Sequence, residues 1–245
     1  MITLVESEAD QQRLLDLCER SAFGCKIFSL ADAYGFDKGF SSFWIDSETE
    51  AVFALSDGVM LIDRTPANGA EAEEFLRAVG AGAVMCALRT AEALGLQPGQ
   101  TGEVLKKAAS GTGESGHDPF AEINIRAIYG LLSDTDMVDE FEPFYLDLSH
   151  RLRHGAARVF TRFENEHLVG CSIVSSISRT TAVLSAVAVA EESRRKGIGS
   201  ALVKEAEAAL AGKTVYVLRE KGAHKEFYKA LGYQWCDAWT YTELH

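Results

Sequence analysis

The chain has 245 residues, 47% of them hydrophobic and 24% charged, which is enough apolar material for a full core. That length fits one large domain or two small ones. A formal net charge of −12 gives a nucleic-acid partner little support; it would tolerate a cationic amine, and solubility alone also accounts for it.

No apolar run approaches the roughly 20 residues of a membrane-spanning helix, so no membrane partner is expected. The start, Met1 to Glu8, lacks the basic stretch and apolar run of a secretory signal, which points to the cytoplasm. Cys18, Cys25, Cys86, Cys171 and Cys236 are scattered, with no Cys-x-x-Cys pair. Free thiols are therefore expected, with neither disulfides nor a metal site.

From the N-terminus, Ile2 to Val5 reads as a strand and Gln11 to Arg20 as a helix. Phe43 to Ile45, Ala51 to Leu55 and Val59 to Ile62 read as strands, the last after an Asp57-Gly58 turn. A helix over Glu71 to Val79, a strand over Ala83 to Leu88 and a helix over Arg89 to Leu94 follow. Ser110 to His117 is rich in glycine and small polar residues and reads as a linker. As a phosphate loop it lacks both the Gly-Lys-Ser/Thr ending and a preceding apolar strand. It divides the chain into an α/β unit of 1–112 and a second unit of 118–245.

In the second unit, Ala121 to Leu132 and Met137 to Arg153 have helical spacing. Ala157 to Phe163 alternates, Glu164-Asn165-Glu166 turns, and Leu168 to Ile177 returns as a strand. Thr181 to Ala190 is a third strand, Gly199 to Ala211 an Ala-rich helix and Thr214 to Leu218 a short buried strand. Lys225 to Leu231 is a helix before Gly232, and Tyr233 to Leu244 is the last strand. The first unit echoes this order weakly. An internal duplication with one degenerate copy accounts for the echo, and plain α/β alternation is the competing account.

Chemistry concentrates after the third strand of the second unit. Val187-Ala188-Val189-Ala190 leads through Glu191-Glu192-Ser193 into Arg194-Arg195-Lys196-Gly197-Ile198-Gly199-Ser200 and a helix. A strand that feeds a glycine-containing turn into a helix start makes an anion site, because unpaired amides and the positive end of the helix dipole meet there. Gly197 and Gly199 let an anion approach the main chain. A Rossmann fingerprint fails, because Leu202 stands where its third glycine belongs, and a P-loop fails for lack of Gly-Lys-Ser/Thr. A basic, glycine-softened helix start with no ligand is the plain structural alternative.

The stretch resembles the signature Arg/Gln-x-x-Gly-x-Gly/Ala of the Gcn5-related N-acetyltransferase (GNAT) superfamily, with Arg194, Gly197 and Gly199 in its places. Downstream, Phe227-Tyr228-Lys229-Ala230-Leu231-Gly232-Tyr233 looks like the family's aromatic-Tyr-x-x-x-Gly-aromatic segment. The resemblance covers roughly residues 120–245. It implies the GNAT fold, a central mixed sheet flanked by helices, with the first unit as a degenerate GNAT-like copy in a tandem chain. It also implies an acetyl-CoA-dependent N-acetyltransferase. Arg194, Arg195, Lys196, Gly197, Ile198, Gly199 and Ser200 would hold the CoA pyrophosphate. The main chain of Val187, Ala188 and Val189 would pair with the pantetheine arm, and an amide near Val189 would polarise the thioester carbonyl. Tyr228 would protonate the departing thiolate, a role that stands beside simple packing. The acceptor would be an amine-bearing small molecule or peptide, and the protein a monomer or homodimer.

Some positions depart from the pattern. Glu220 stands where the family often has asparagine, and no carboxylate lies on the strand Thr181 to Val189 to serve as base. Ser185 is the polar residue nearest the acyl end. Cys171 has no evident histidine partner, so direct transfer in a ternary complex is expected rather than a covalent acyl-enzyme. His150 and His154, four residues apart, share a helix face, where cations meet the negative end of the dipole. His150 is also a candidate base, and Arg151 a candidate anchor for an acceptor carboxylate. A CoA-binding sensor or scaffold without catalysis, and transfer of a larger acyl group, are the alternatives. Thr65 to Gly69 stands in place of the cradle in the first unit, without cations or a second spaced glycine, so that unit is expected not to bind CoA.

Overall fold

A computed structural model describes residues 1–111 and 123–244. All but Ser110 and Gly111 of the expected linker lie outside the described residues, as does the start of the helix expected from Ala121. The first half runs β1 (Ile2–Leu4), α1 (Glu8–Leu17), α2 (Ala22–Tyr34), β2 (Ser41–Asp46), β3 (Val52–Ser56), β4 (Val59–Asp63), α3 (Gly69–Ala78), β5 (Ala83–Ala87), α4 (Leu88–Ala93) and β6 (Gln100–Ala108). The second runs α5 (Ile125–Ser133), α6 (Phe141–Arg153), β7 (Arg158–Glu164), β8 (His167–Ile177), β9 (Thr181–Val189), α7 (Ile198–Ala209), β10 (Thr214–Glu220), α8 (Lys225–Ala230) and β11 (Gln234–Glu243). Apart from β1, the two halves repeat one order: two helices, three strands, helix, strand, helix, strand.

All the strands join one 11-stranded mixed sheet, in the order β1-β2-β3-β4-β5-β11-β6-β10-β9-β8-β7. Each half therefore lends its last strand to the other. β6 pairs antiparallel with β10 from Thr214↔Ala108 to Glu220↔Gly102, and β11 pairs antiparallel with β5 from Trp239↔Ala87 to Glu243↔Ala83. The two exchanged strands meet each other at the centre.

Helices cover both faces, and strands such as β2, β5 and β8 are accordingly buried almost continuously rather than on alternate residues. On one face, Leu202, Val203 and Ala206 of α7 with its C-cap Leu210, and Tyr228 of α8 with its C-cap Leu231, pack on Leu184, Val215 and Val217. Burying each such leucine or valine contributes roughly 1.5–3 kcal/mol. α3 and α4 lie against the equivalent strands of the first half, through Leu76 and Leu94 over Phe53, Met60 and Val84. The opposite face carries α1 and α2 over β2 and β3, and α5 and α6 over β7 and β8.

The sequence pattern misses α2 and β6. Ser21 caps α2 by accepting from the Gly24 amide at 2.8 Å, and the helix buries 10 of its 13 residues. Such a helix has no polar face, so it shows no amphipathic period. Its first turns lie where the halves meet: Ala22, Phe23 and Cys25 pack with Ala87, Val104, Val183, Tyr216 and Trp239. β6 reads Gln-Thr-Gly-Glu-Val-Leu-Lys-Lys-Ala, polar enough to pass for a loop.

Candidate active site

Strand β9 parts from β10. Parallel pairing is confined to Thr214↔Thr181, Val215↔Ala182 and Tyr216↔Val183, although β9 continues to Val189 and β10 to Glu220. Two features drive the parting. β10 is held along its whole length by β6 on its other side. In β9 the register with β8 steps from Ile173↔Ala186 to Val174↔Leu184, leaving Ser185 as a bulge residue, and bulges bend and twist a strand. The exposed Ser185 hydroxyl donates to the Ile173 carbonyl at 3.2 Å. The backbone of Leu184 to Val189 thus faces a V-shaped gap on its β10 side.

The gap opens towards the start of α7. A single 3-10 turn, Glu191–Ser193, leaves β9, and Arg195 (φ 63°) and Gly197 (φ 81°) then take left-handed conformations. Gly197 caps α7 without any side-chain hydrogen bond. Side chains do cap α1, α2, α3 and α5, through Ser7, Ser21, Asn68 and Asn124. Among the described residues the first-turn amides of α7 therefore lack a side-chain acceptor, beside the exposed Arg194, Arg195 and Lys196. Arg194 Nε donates to the Val189 carbonyl at 3.1 Å, tying the turn to the strand end, and Lys196 lies 3.7 Å from Glu164.

Close packing holds these pieces. A Cβ on Gly170 of β8 would come within 2.9 Å of Ile198 Cγ2 and 3.1 Å of Leu202 Cδ1, so the glycine seats α7 tightly on the sheet. A Cβ on Gly199 would meet Phe227 and Val189 at 3.6 Å, so the end of β9, the first turn of α7 and α8 converge there. Tyr228 follows on α8, 9% exposed, with Phe227 and Tyr233 edge-on at 5.0 and 5.6 Å. Burial raises its pKa above the ordinary 10, with Arg219 pulling the other way, so the phenol is protonated at neutral pH. Its hydroxyl makes no hydrogen bond among the described residues.

Arg219 of β10 donates to the Ala223 carbonyl in the loop before α8 and to Glu103 Oε2 at 2.5 Å. Glu103 belongs to β6, so a residue of the first half helps position the helix that carries Tyr228. Neither this clamp nor Gly170 has a local signal in the sequence, because both depend on strand neighbours distant along the chain. Glu220 accepts from Gln100 Nε2 at 3.1 Å, again across the β6–β10 pair.

The remaining candidates are engaged in structure. His150 Nε2 lies 2.7 Å from the Ala33 carbonyl, which can only accept, so that nitrogen carries the proton. The ring stacks between Tyr34 and His154. Arg151 pairs with Asp147 at 2.7 Å and donates to Ser29 Oγ at 3.1 Å. Cys171 is fully buried on β8, and burial pushes its thiol up to about 11, which opposes a nucleophilic role. Among the described residues no group of three His, Cys, Asp or Glu side chains could hold a metal, and no helix is long and apolar enough to cross a membrane.

The equivalent place in the first half is closed. β4 and β5 pair from Val59↔Ala83 to Ile62↔Cys86, nearly their full length, so no gap opens. Asn68 Oδ1 accepts from the Ala70 and Glu71 amides at 3.1 and 3.2 Å, and Asp46 accepts from the Ala67 amide at 2.8 Å. A Cβ on Gly69 would strike the Ala93 carbonyl, which already sits on the helix start.

The profile of the acetyltransferase (GNAT) domain family matches residues 155–235, the span from β7 to the start of β11. No curated protein matches the chain. Solved structures similar in fold include a tandem GNAT protein from the clavulanic acid biosynthesis pathway, with 15% identity and TM-score 0.57 over 98% of this chain and 97% of that one. A GNAT-family acetyltransferase from Colwellia psychrerythraea aligns over the whole of both chains with 13% identity and TM-score 0.58. A Drosophila protein aligns over 99% and 98% with 13% identity and TM-score 0.62. Residues 155–235 of this chain therefore match the GNAT domain family, and the whole molecule has the fold of a tandem GNAT protein.

Proposed function

We propose that the second half transfers the acetyl group of acetyl-CoA to an amine, with both substrates bound at once. The observation that carries this reading is the gap between β9 and β10, which runs from the bulge at Ser185 to the uncapped start of α7. The amides of Arg195 to Ser200, with the cations of Arg194, Arg195 and Lys196, hold the pyrophosphate. The free edge at Val187, Ala188 and Val189 takes the pantetheine as an added strand, and an amide there stabilises the oxyanion. The amine nitrogen attacks the thioester carbon, the C–S bond breaks, Tyr228 gives its proton to sulfur, the amine loses one to solvent, and solvent returns a proton to the Tyr228 phenolate. Residues 1–112 and 118–245 are the two units of the duplication in this proposal, and the first binds no CoA. The test is CoA release across a panel of amines, for the wild type and Tyr228→Phe. If both forms bind CoA normally and neither acetylates any amine, the catalytic reading fails and a CoA-binding scaffold replaces it.

A further inference from the structure

A cavity of about 1110 Å³ lies where the two halves meet, between α2, the β3–β4 turn and the start of α6. We propose that this cavity binds an aliphatic polyamine. Its wall combines the carboxylates of Asp57, Glu140 and Glu142 with the apolar surfaces of Tyr34, Phe40 and Leu146.

The charge is one-sided. Arg151 is the cation in the wall, and it is committed: Nε binds Asp147, the guanidinium reaches Ser29, and it lies over the Tyr34 ring at 5.7 Å. Tyr34 also donates to Asp147 at 2.7 Å, so Asp147 is satisfied from two directions. Among the described residues, Asp57, Glu140 and Glu142 have no ion pair. Three uncompensated carboxylates disfavour an anion or a neutral ligand and fit several ammonium groups.

Charge alone describes any acidic surface, and the apolar half of the wall sets this cavity apart. Phe40 is 45% exposed and Leu146 59% exposed, two large apolar side chains left facing water in the same concave surface. A polyamine matches both halves. Its methylene stems can cover Phe40 and Leu146 as a lysine stem covers apolar surface, and its ammonium groups can reach the carboxylates and ring faces. A hydrated metal ion would satisfy the carboxylates and leave the apolar wall wet. The cavity also slightly exceeds the roughly 300–1,000 Å³ of ligand pockets, which suits an extended chain better than a monoamine.

Binding needs no acetyl transfer, so it can be tested apart from the proposed activity. Spermidine is titrated calorimetrically into the full chain without acetyl-CoA. Saturable binding of one spermidine per chain is expected. The triple variant Asp57→Asn, Glu140→Gln, Glu142→Gln should weaken it at least tenfold, and Phe40→Ala severalfold. All four side chains are exposed, so circular dichroism should find each variant folded. Magnesium chloride at matched charge should fail to displace spermidine. The absence of saturable binding, unchanged affinity in the triple variant, or displacement by magnesium at matched charge would each overturn the proposal, the last by marking a plain acidic surface.

Discussion

Asn68 and Gly197 occupy equivalent places, each capping the helix that follows the third strand of its half, and they leave that helix in opposite states. Asn68 fills the start of α3 with its own oxygen, whereas Gly197 leaves the start of α7 open. Asp46 reinforces the closure. Burial would raise its pKa, but the Ala67 amide, the Thr49 hydroxyl, the Glu48 amide and the terminal amine together hold it down to about 2. An internal anion thus occupies the turn where the second half is proposed to take an external one. The expected stoichiometry is one CoA per chain by calorimetry, and two would overturn the assignment of a closed first half.

Two glycines of the cradle should respond differently to alanine. Gly197 is left-handed, where a Cβ costs about 1–2 kcal/mol, so Gly197→Ala should lower stability and weaken CoA binding together. Gly199 has helical geometry, and its added methyl would meet neighbours at an ordinary 3.6 Å. Gly199→Ala should leave the melting temperature and CoA affinity near wild type. Thermal melts with CoA titrations check the pair; equal losses in both variants would contradict the geometry.

Tyr228→Phe removes a hydroxyl that bonds to nothing among the described residues and keeps the edge-on ring contacts, so stability should barely change. If the phenol protonates the thiolate, kcat should fall about 100-fold or more with CoA affinity intact. Because burial raises its pKa, wild-type activity should lose this acid at a higher pH than an ordinary phenol, whose value is about 10. An earlier alkaline loss that disappears in the phenylalanine variant would contradict that environment.

Buried thiols give stability its own pH dependence. Burial pushes Cys25 and Cys171 up to about 11 and Cys86 up to about 12, against roughly 8.5 for a thiol in the unfolded chain. Above about pH 8.5 the unfolded chain has released protons that the folded chain still holds, so unfolding becomes easier as pH rises. Their contribution is complete below that value and is lost progressively up to about 11–12. Melting temperature should therefore fall between about pH 8.5 and 10, and Cys86→Ala should flatten the slope even if it lowers the whole curve.

What the sequence discloses follows from where each element's neighbours lie. The order in the second half is legible from Ala157 onward, because its strands are short apolar runs set off by turn residues such as Glu164-Asn165-Glu166 and Gly212. The motifs at Arg194 to Gly199 and around Tyr228 stand out in the sequence because each is a short contiguous segment. α2 is hidden because it is buried nearly all round, by strands of both halves. β6 is hidden because its partners, β10 and β11, come over a hundred residues later. The bulge at Ser185 and the Arg219–Glu103 clamp are pairing facts with no local pattern. The illegible elements are those that join the halves.

The same relationship predicts how the units behave when separated. In a fragment of 118–245, β10 and β11 have no β6 between them, so two long strands lose their shared partner and expose unpaired edges. The fragment also loses α2, which covers Val183 and Tyr216, and Glu103, which leaves the Arg219 guanidinium without its carboxylate. Losing both β6 ladders and the cover of α2 together removes backbone pairing and apolar burial from the middle of the sheet. The fragment should thus aggregate or lack a cooperative melt despite containing every residue of the matched family domain. Co-expression with 1–112 should restore a soluble complex, since that piece returns β6, α2 and Glu103 together. A fragment that melts cooperatively alone and binds CoA as the whole chain does would show that strand exchange is dispensable to the fold.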